Sequence, residues 1–291
     1  MNCWFIHIAM PAILAVEKLI VLGVPEMENL VTRATLPFKI LQDMQIPAAY
    51  ERSFKIDRRG IFANRYMLVL QRRFLGVAVD TVLGELGCPE ETRDEIKGSN
   101  EKASMAAIGC EEANGNLTYR FYLDYHEYVT EQRKRISKDF RKSLLAFQGW
   151  KWTLDGSHSH RSDYWQEINL SKIDLIQLIE TTLGTSSFLT AHVQELIGDL
   201  CADTHWLPTV LLAKDTQSTR SSFDLNLYEQ QKKVVDFHEF LQLVSDGFQL
   251  PTELLRQLME ITGNQLLGHI SAGFSSHESE FVTVYFDPSP S

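Results

Sequence analysis

The chain has 291 residues, 44% apolar and 23% charged, enough to bury a sizeable core as one large domain or two. Its 28 basic residues face 38 acidic ones, and the net charge of −10 argues against a nucleic-acid partner. Four scattered cysteines, Cys3, Cys88, Cys110 and Cys201, have neither CxxC nor metal-ligand spacing, which suits a reducing cytoplasm.

The N-terminal stretch MNCWFIHIAMPAILAVEK holds an apolar run too short to span a bilayer and with no basic residues ahead of it. It is read as a buried first helix, and no membrane partner is expected. Residues 1–46 read as largely helical: ILAVEKLIVLG, then PEMENLVTRA from Pro25, then PFKILQDM. Between Ala48 and Gln71 two alternating segments flank a turn containing Arg59-Gly60, the pattern of a β-hairpin. FLGVAVDTVLGELG follows, with Phe74, Val77, Val82 and Leu86 as a helical stripe, and PEETRDEIKGSNEK starts a helix at its proline. A second hairpin, SMAAIGCEEANGNLTYRFYLDY, turns at Asn114-Gly115.

Glu127 to Leu145 reads as helix, and its basic run Arg133–Lys142 (RKRISKDFRK) as a solvated face. GWKWTLDGSHSHRSDYWQEINL is a third hairpin whose polar loop holds His158 and His160, read as a loop tip rather than a metal site. Helices SKIDLIQLIETTLG, with Ser171 as N-cap, and SFLTAHVQELIGDLCA precede a fourth hairpin, WLPTVLLAKDTQSTRSSFDLNLYE. Helices KVVDFHEFLQLVSD and PTELLRQLMEIT precede a fifth, QLLGHISAGFSSHESEFVTVYFD.

The order helical, ββ therefore recurs five times, an internal repeat of about five ααββ units. About ten antiparallel strands separated by helices predict an α+β fold: a closed ten-stranded antiparallel barrel ringed by helices, since closure removes both sheet edges. It is read as one domain over residues 1–287, with 288–291 as a tail. Amphipathic helices bury their stripes on the outside of the sheet, so the apolar strand face points outward and the mixed face lines the lumen. By alternation the lumen receives Glu51, Ser53, Lys55, Arg65, Met67, Thr118, Arg120, Tyr122, Lys151, Thr153, Glu167, Asn169, Ser222, Asp224, Asn226, Tyr228, His269, Ser271, Thr283 and Tyr285. On strand seven either Lys214, or Thr209 and Asp215, face inward.

This architecture resembles the ABBA (PT-barrel) aromatic prenyltransferases. Within them, YERSFKIDRRGIFANRYMLVL is similar to the first hairpin of the cyanobactin prenyltransferases, and GWKWTLDG resembles their aromatic strand ending in Leu-Asp-Gly. The resemblance implies transfer of a short isoprenoid from dimethylallyl diphosphate to a Tyr, Trp, Arg or His side chain of a peptide, of the macrocyclic cyanobactin type. It implies that Glu51 acts at the acceptor and that Arg65 and the Arg120-Phe121-Tyr122 strand hold diphosphate. Asp224-Leu225-Asn226 departs from the pattern by lacking a cation on the fourth hairpin.

Ionising an allylic diphosphate requires cations at the leaving group, an aromatic shield for the allyl cation and a base for the acceptor proton. The diphosphate candidates are Lys55, Arg65, Arg120, Tyr122, Lys151, Lys214, Tyr228 and Tyr285; the base is Glu51; acceptor candidates are Glu167, Asp224 and His269, with Asp124 beside them. No DDxxD motif is present, so no protein-held metal is expected, although Mg²⁺ can accompany the diphosphate through its oxygens and water. A monomer without organic cofactor is expected. A free aromatic or indole acceptor, a non-catalytic barrel carrying a hydrophobic or phosphorylated molecule, and a filled barrel in which Arg65 and Glu51 merely pair are the competing readings.

Overall fold

The computed structural model describes residues 25–113, 116–156, 158–202, 206–275 and 279–288. The expected first helix before Pro25, the Asn114-Gly115 turn and most of the tail lie outside the described residues. Ten strands run β1 Ala49–Asp57, β2 Gly60–Gln71, β3 Met105–Ala113, β4 Asn116–Asp124, β5 Lys142–Thr153, β6 Ser159–Ile168, β7 Thr209–Asp215, β8 Ser221–Asn226, β9 Leu267–Phe274 and β10 Glu280–Phe286. All neighbours are antiparallel, and β1 closes on β10 from Arg52 opposite Phe286 to Asp57 opposite Phe281. The closed barrel expected from the repeat is therefore present.

Eight α-helices lie among the described residues: α1 Pro25–Asp43, α2 Leu75–Glu85, α3 Glu90–Ser99, α4 His126–Arg133, α5 Lys172–Leu183, α6 Phe188–Leu200, α7 His238–Gly247 and α8 Thr252–Thr262. Their stripes pack on the outer face of the barrel in two large clusters. Leu41, Val82 and Ile96 meet Leu68, Phe121, Trp150 and Trp152 on one side, while Ile179, Val193, Val244 and Leu255 meet Phe54, Phe223, Ile270 and Val284 on the other. Trp150 and Trp152 reach these helices with their indoles bonded to Glu95 Oε2 and the Leu86 carbonyl, each at 3.0 Å. Among the described residues no helix is long and apolar enough to cross a membrane.

Two local readings are corrected. PEMENLVTRA and PFKILQD form the single helix α1 with Pro37 inside it. Pro37 has no N–H to give the Arg33 carbonyl one turn back, and the Tyr119 hydroxyl donates to that oxygen instead at 2.6 Å, as Tyr66 does to the Ala34 carbonyl. The helix expected to reach Leu145 ends at Arg133, and β5 begins at Lys142. Pairing of Lys142, Ser143 and Leu144 with Ile168, Glu167 and Gln166 overrides the local helical spacing.

Candidate active site

The strand ends that join within each hairpin lie at one end of the barrel, the turn end, and the strand ends that lead into helices lie at the other, the crossing end. At the turn end lies a cavity of about 530 Å³ walled by Lys55, Arg59, Arg65, Glu111, Arg120, Lys151, His160 and Arg220 with serines and threonines between them. At the crossing end lies one of about 400 Å³, walled by Glu51, Met67, Val69, Phe147, Leu211, Asp224, Tyr228 and His269 and bordered by Ala49, Asp124, Asn226 and Pro288. Tyr285 touches both, and a small space bounded by Glu51, Met67, Arg65, Arg120 and Tyr122 lies between them.

Register explains the cationic end. Ser53 lies opposite Arg65, Arg65 opposite Glu111, Arg120 opposite Lys151 and Lys151 opposite His160, so alternation aims one ring of side chains inward. Glu111 is the hub: Arg65 Nη1 stands 2.9 Å and Lys151 Nζ 3.4 Å from its oxygens, and Arg120 Nη2 bonds it too. Burial opposes ionisation of Glu111, but Arg120, Arg65, Lys151 and Lys55 hold its carboxyl well below the usual carboxylate range. Asp57 pairs with Lys55 at 3.4 Å and Arg59 at 2.7 Å; Asp215 pairs with Arg220 at 3.2 Å. Six cations thus face three carboxylates, an excess of three positive charges. Burial lowers Lys55 and Lys151 to about 8 despite Glu111 nearby, and lowers His160 to about 4 despite Asp215. Arg120 Nε is buried without a hydrogen-bond partner among the described residues. A multiply charged anion answers all of this.

The middle of the lumen is aromatic. Tyr122 and Tyr164 meet edge to face with centroids 6.0 Å apart, and the Arg120 guanidinium donates to the Tyr122 hydroxyl at 3.1 Å. Gly149, opposite Tyr122, makes room: a Cβ there would stand 2.7 Å from the Tyr122 ring.

At the crossing end the His269 ring stacks on Tyr285 with centroids 3.8 Å apart and planes at 6°. Its Nδ1 lies 2.6 Å from Asp224 Oδ2 and its Nε2 3.5 Å from Glu51 Oε2. Burial opposes its charge, but Asp224 and Glu51 raise it to about 10, so it is an imidazolium between two buried carboxylates. The Tyr228 hydroxyl donates to Glu51 Oε1. Burial raises the pKa of Asp124, which accepts from the His126 N–H at 2.6 Å.

Of the residues expected from sequence, Glu51, Lys55, Arg65, Arg120, Tyr122, Lys151, Asp224, His269 and Tyr285 share this lumen. Five residues do not stand as expected. Lys214 is exposed, beside Asp163 and Ser221 in register, and Asp215 takes the inward position of strand seven. Glu167 pairs across β7 with Val210, whose side chain lies in the outer core, and is held by Arg141 and Ser143. Tyr228 leaves the strand into a 3₁₀ turn and meets Glu51 rather than the cationic end. Asn169 follows β6 in the left-handed region, φ 59°, and its amide binds the Ser137 and Phe140 carbonyls. His160 sits on β6 against the cationic cavity, not at a loop tip.

Glu111, Tyr164 and Arg220 were not singled out, and His160 was read only as part of a loop tip. Inward Ser222 carries the signal for Arg220 two residues earlier; inward Tyr122, paired through Gly149 with Ser162, carries it for His160 and Tyr164. Among the described residues no group of three or more His, Cys, Asp or Glu gathers as a metal ion needs, and Asp57, Glu111 and Asp215 are each committed to cations.

No protein-family model and no curated protein matches the chain. In structure it is similar to the prenyltransferase PriB in its apo form, with a TM-score of 0.60, 14% identity and coverage of 94% of this chain and 93% of that one. A PriB complex with product diphosphate gives 0.55 at 14% identity over 83% and 79%. NotF in complex with brevianamide F and DMSPP gives 0.52 at 11% over 84% and 81%. The fold is that of the ABBA (PT-barrel) prenyltransferases.

Proposed function

We propose that the chain is a prenyltransferase that moves a dimethylallyl group from its diphosphate to a side chain of a peptide. The observation that carries this is the division of one lumen into a cationic end and an acid-lined mouth, joined through aromatic rings. Arg65, Arg120, Lys55 and Lys151, with Arg59 and Arg220, hold the diphosphate, and their attraction grows as the allylic C–O bond breaks and charge moves onto the leaving oxygen. The allyl cation forms against the faces of Tyr122, Tyr164 and Tyr285, which also exclude water. The acceptor's carbon, oxygen or nitrogen takes the cation and its proton passes to Glu51. His269, already protonated, is no base; with Tyr228 it fixes the Glu51 carboxylate toward the mouth. Mg²⁺, where it accompanies the diphosphate, shares its charge.

A mouth cavity of about 400 Å³ takes an isoprenyl group with one side chain rather than a macrocycle, which supports an acceptor entering as a side chain from outside. Tyr, Trp and His suit the aromatic walls. An arginine acceptor would set its guanidinium against the Glu51 carboxylate, a charge-assisted contact that the aromatic side chains do not make. The same volume holds a small free aromatic acceptor, the second reading. Tyrosine-, tryptophan-, arginine- and histidine-containing cyclic peptides and free tryptophan, competed for limiting dimethylallyl diphosphate and followed by mass spectrometry, test this. A prenylated peptide is expected; product with tryptophan alone replaces the acceptor, and donor binding without product makes the barrel a carrier.

A further inference from the structure

The densest basic run of this acidic chain, Arg133 to Lys142, holds six cations against the single acid Asp139. Arg133, Lys134, Arg135, Lys138 and Lys142 are all exposed, and Phe140 among them is 71% exposed. The segment has a fixed place: Asn169 binds its Ser137 and Phe140 carbonyls, and Arg141 is tied to Glu167 and Asp174. Its Ile136 packs on an apolar cluster of Val129, Leu144, Ala146 and Ile168, on which Phe147 and Leu211, both walls of the mouth cavity, also pack. A rigid, strongly positive rim carrying one bare aromatic ring therefore borders a mouth whose interior is acidic.

We propose that this connection between α4 and β5 is a docking surface for acidic residues of the acceptor peptide, outside the lumen. The inference rests on the peptide reading of the acceptor. Opposite signs at rim and mouth orient the substrate: its acidic flank settles on Lys134, Arg135 and Lys138, its apolar side on Phe140, and the acceptor side chain turns down toward Glu51 and Asp224. Phe140 supplies contact area that a merely solvated charge run does not need.

The test measures binding by titration calorimetry, without donor, of a head-to-tail cyclic peptide with one tyrosine, one arginine and two aspartates, and of its counterpart with asparagines. The native protein is expected to bind the aspartate peptide at least tenfold more tightly at low salt. Lys134→Glu/Arg135→Glu/Lys138→Glu should lose that preference while its thermal unfolding and its affinity for dimethylallyl diphosphate stay unchanged. Equal affinities in the native protein, or a preference that survives in the variant, overturn the docking surface. So does binding to phosphatidylserine vesicles that the variant loses without any peptide preference. If the asparagine and aspartate peptides are bound and prenylated alike, only this inference falls; if neither is bound while free tryptophan is prenylated, the peptide reading falls with it.

Discussion

Glu111 shows how one side chain organises the donor end. It lies buried at 9% exposure with Arg65, Arg120 and Lys151 on its two oxygens, so its removal leaves buried cations without their counter-charge. Glu111→Gln is expected to lose about 3–5 kcal/mol of stability in denaturant unfolding, part of which added inorganic pyrophosphate restores. A variant as stable as the parent would show that the cluster is already screened by water. Arg65→Ala and Arg120→Ala are expected to cost a few kcal/mol each in kcat/KM for the donor and little in acceptor binding, measured by varying each substrate in turn. Arg65, Arg120 and Glu51 were legible from strand alternation alone. Glu111 was not, because β3 interleaves small residues on both faces, Ala106 and Cys110 against Ala107 and Gly109, and so gives no apolar face to count from.

Elements fix the aim of these side chains, and strand irregularities mark where the sequence misled. Between Tyr285 and Phe286 the register with β9 slips, so Tyr285 faces His269 while Phe286 faces Leu267, leaving Gly268 as the extra residue. A Cβ on Gly268 would stand 2.6 Å from the Tyr228 ring and 2.7 Å from Glu51 Oε1. Gly268→Ala is therefore expected to displace the Tyr228–Glu51 pair and lower kcat by more than tenfold, with far-ultraviolet circular dichroism unchanged; full activity would mean that this pair has no part in turnover. On β6 the error was one of parity. Counting inward from Glu167 and Asn169 put Tyr164 outside, and because side chains alternate with a period of two a single step inverts the whole strand. The hairpin repeat survived such slips, since it depends on where segments begin and end and not on which face each presents.

At the scale of the whole molecule the barrel keeps two opposite fields in one channel, and their protons make that testable. Lys55 and Lys151 sit near 8 in the protein without its donor, lowered by burial, and a bound diphosphate favours their charged forms. Below about pH 8 both are already charged and donor affinity should be flat; above it, binding must take up protons, so affinity falls with rising pH by up to about tenfold per unit for each lysine. Lys151→Met should reduce that slope, as read by donor titration between pH 7 and 10 on the order of half a unit apart. Closure and helix packing were readable from the repeat and its alternation; the His269 imidazolium was not, since it needs Asp224 and Glu51 brought together from β8 and β1. The central claim, that one lumen both ionises the donor and deprotonates the acceptor, is tested most directly by Glu51→Gln. Pyrophosphate release and prenylated peptide should appear in equal amounts with the native protein, and Glu51→Gln should lose 10²- to 10⁴-fold of transfer, roughly the worth of one general base, while still binding the donor. A folded Glu51→Gln protein that transfers at the native rate would contradict it.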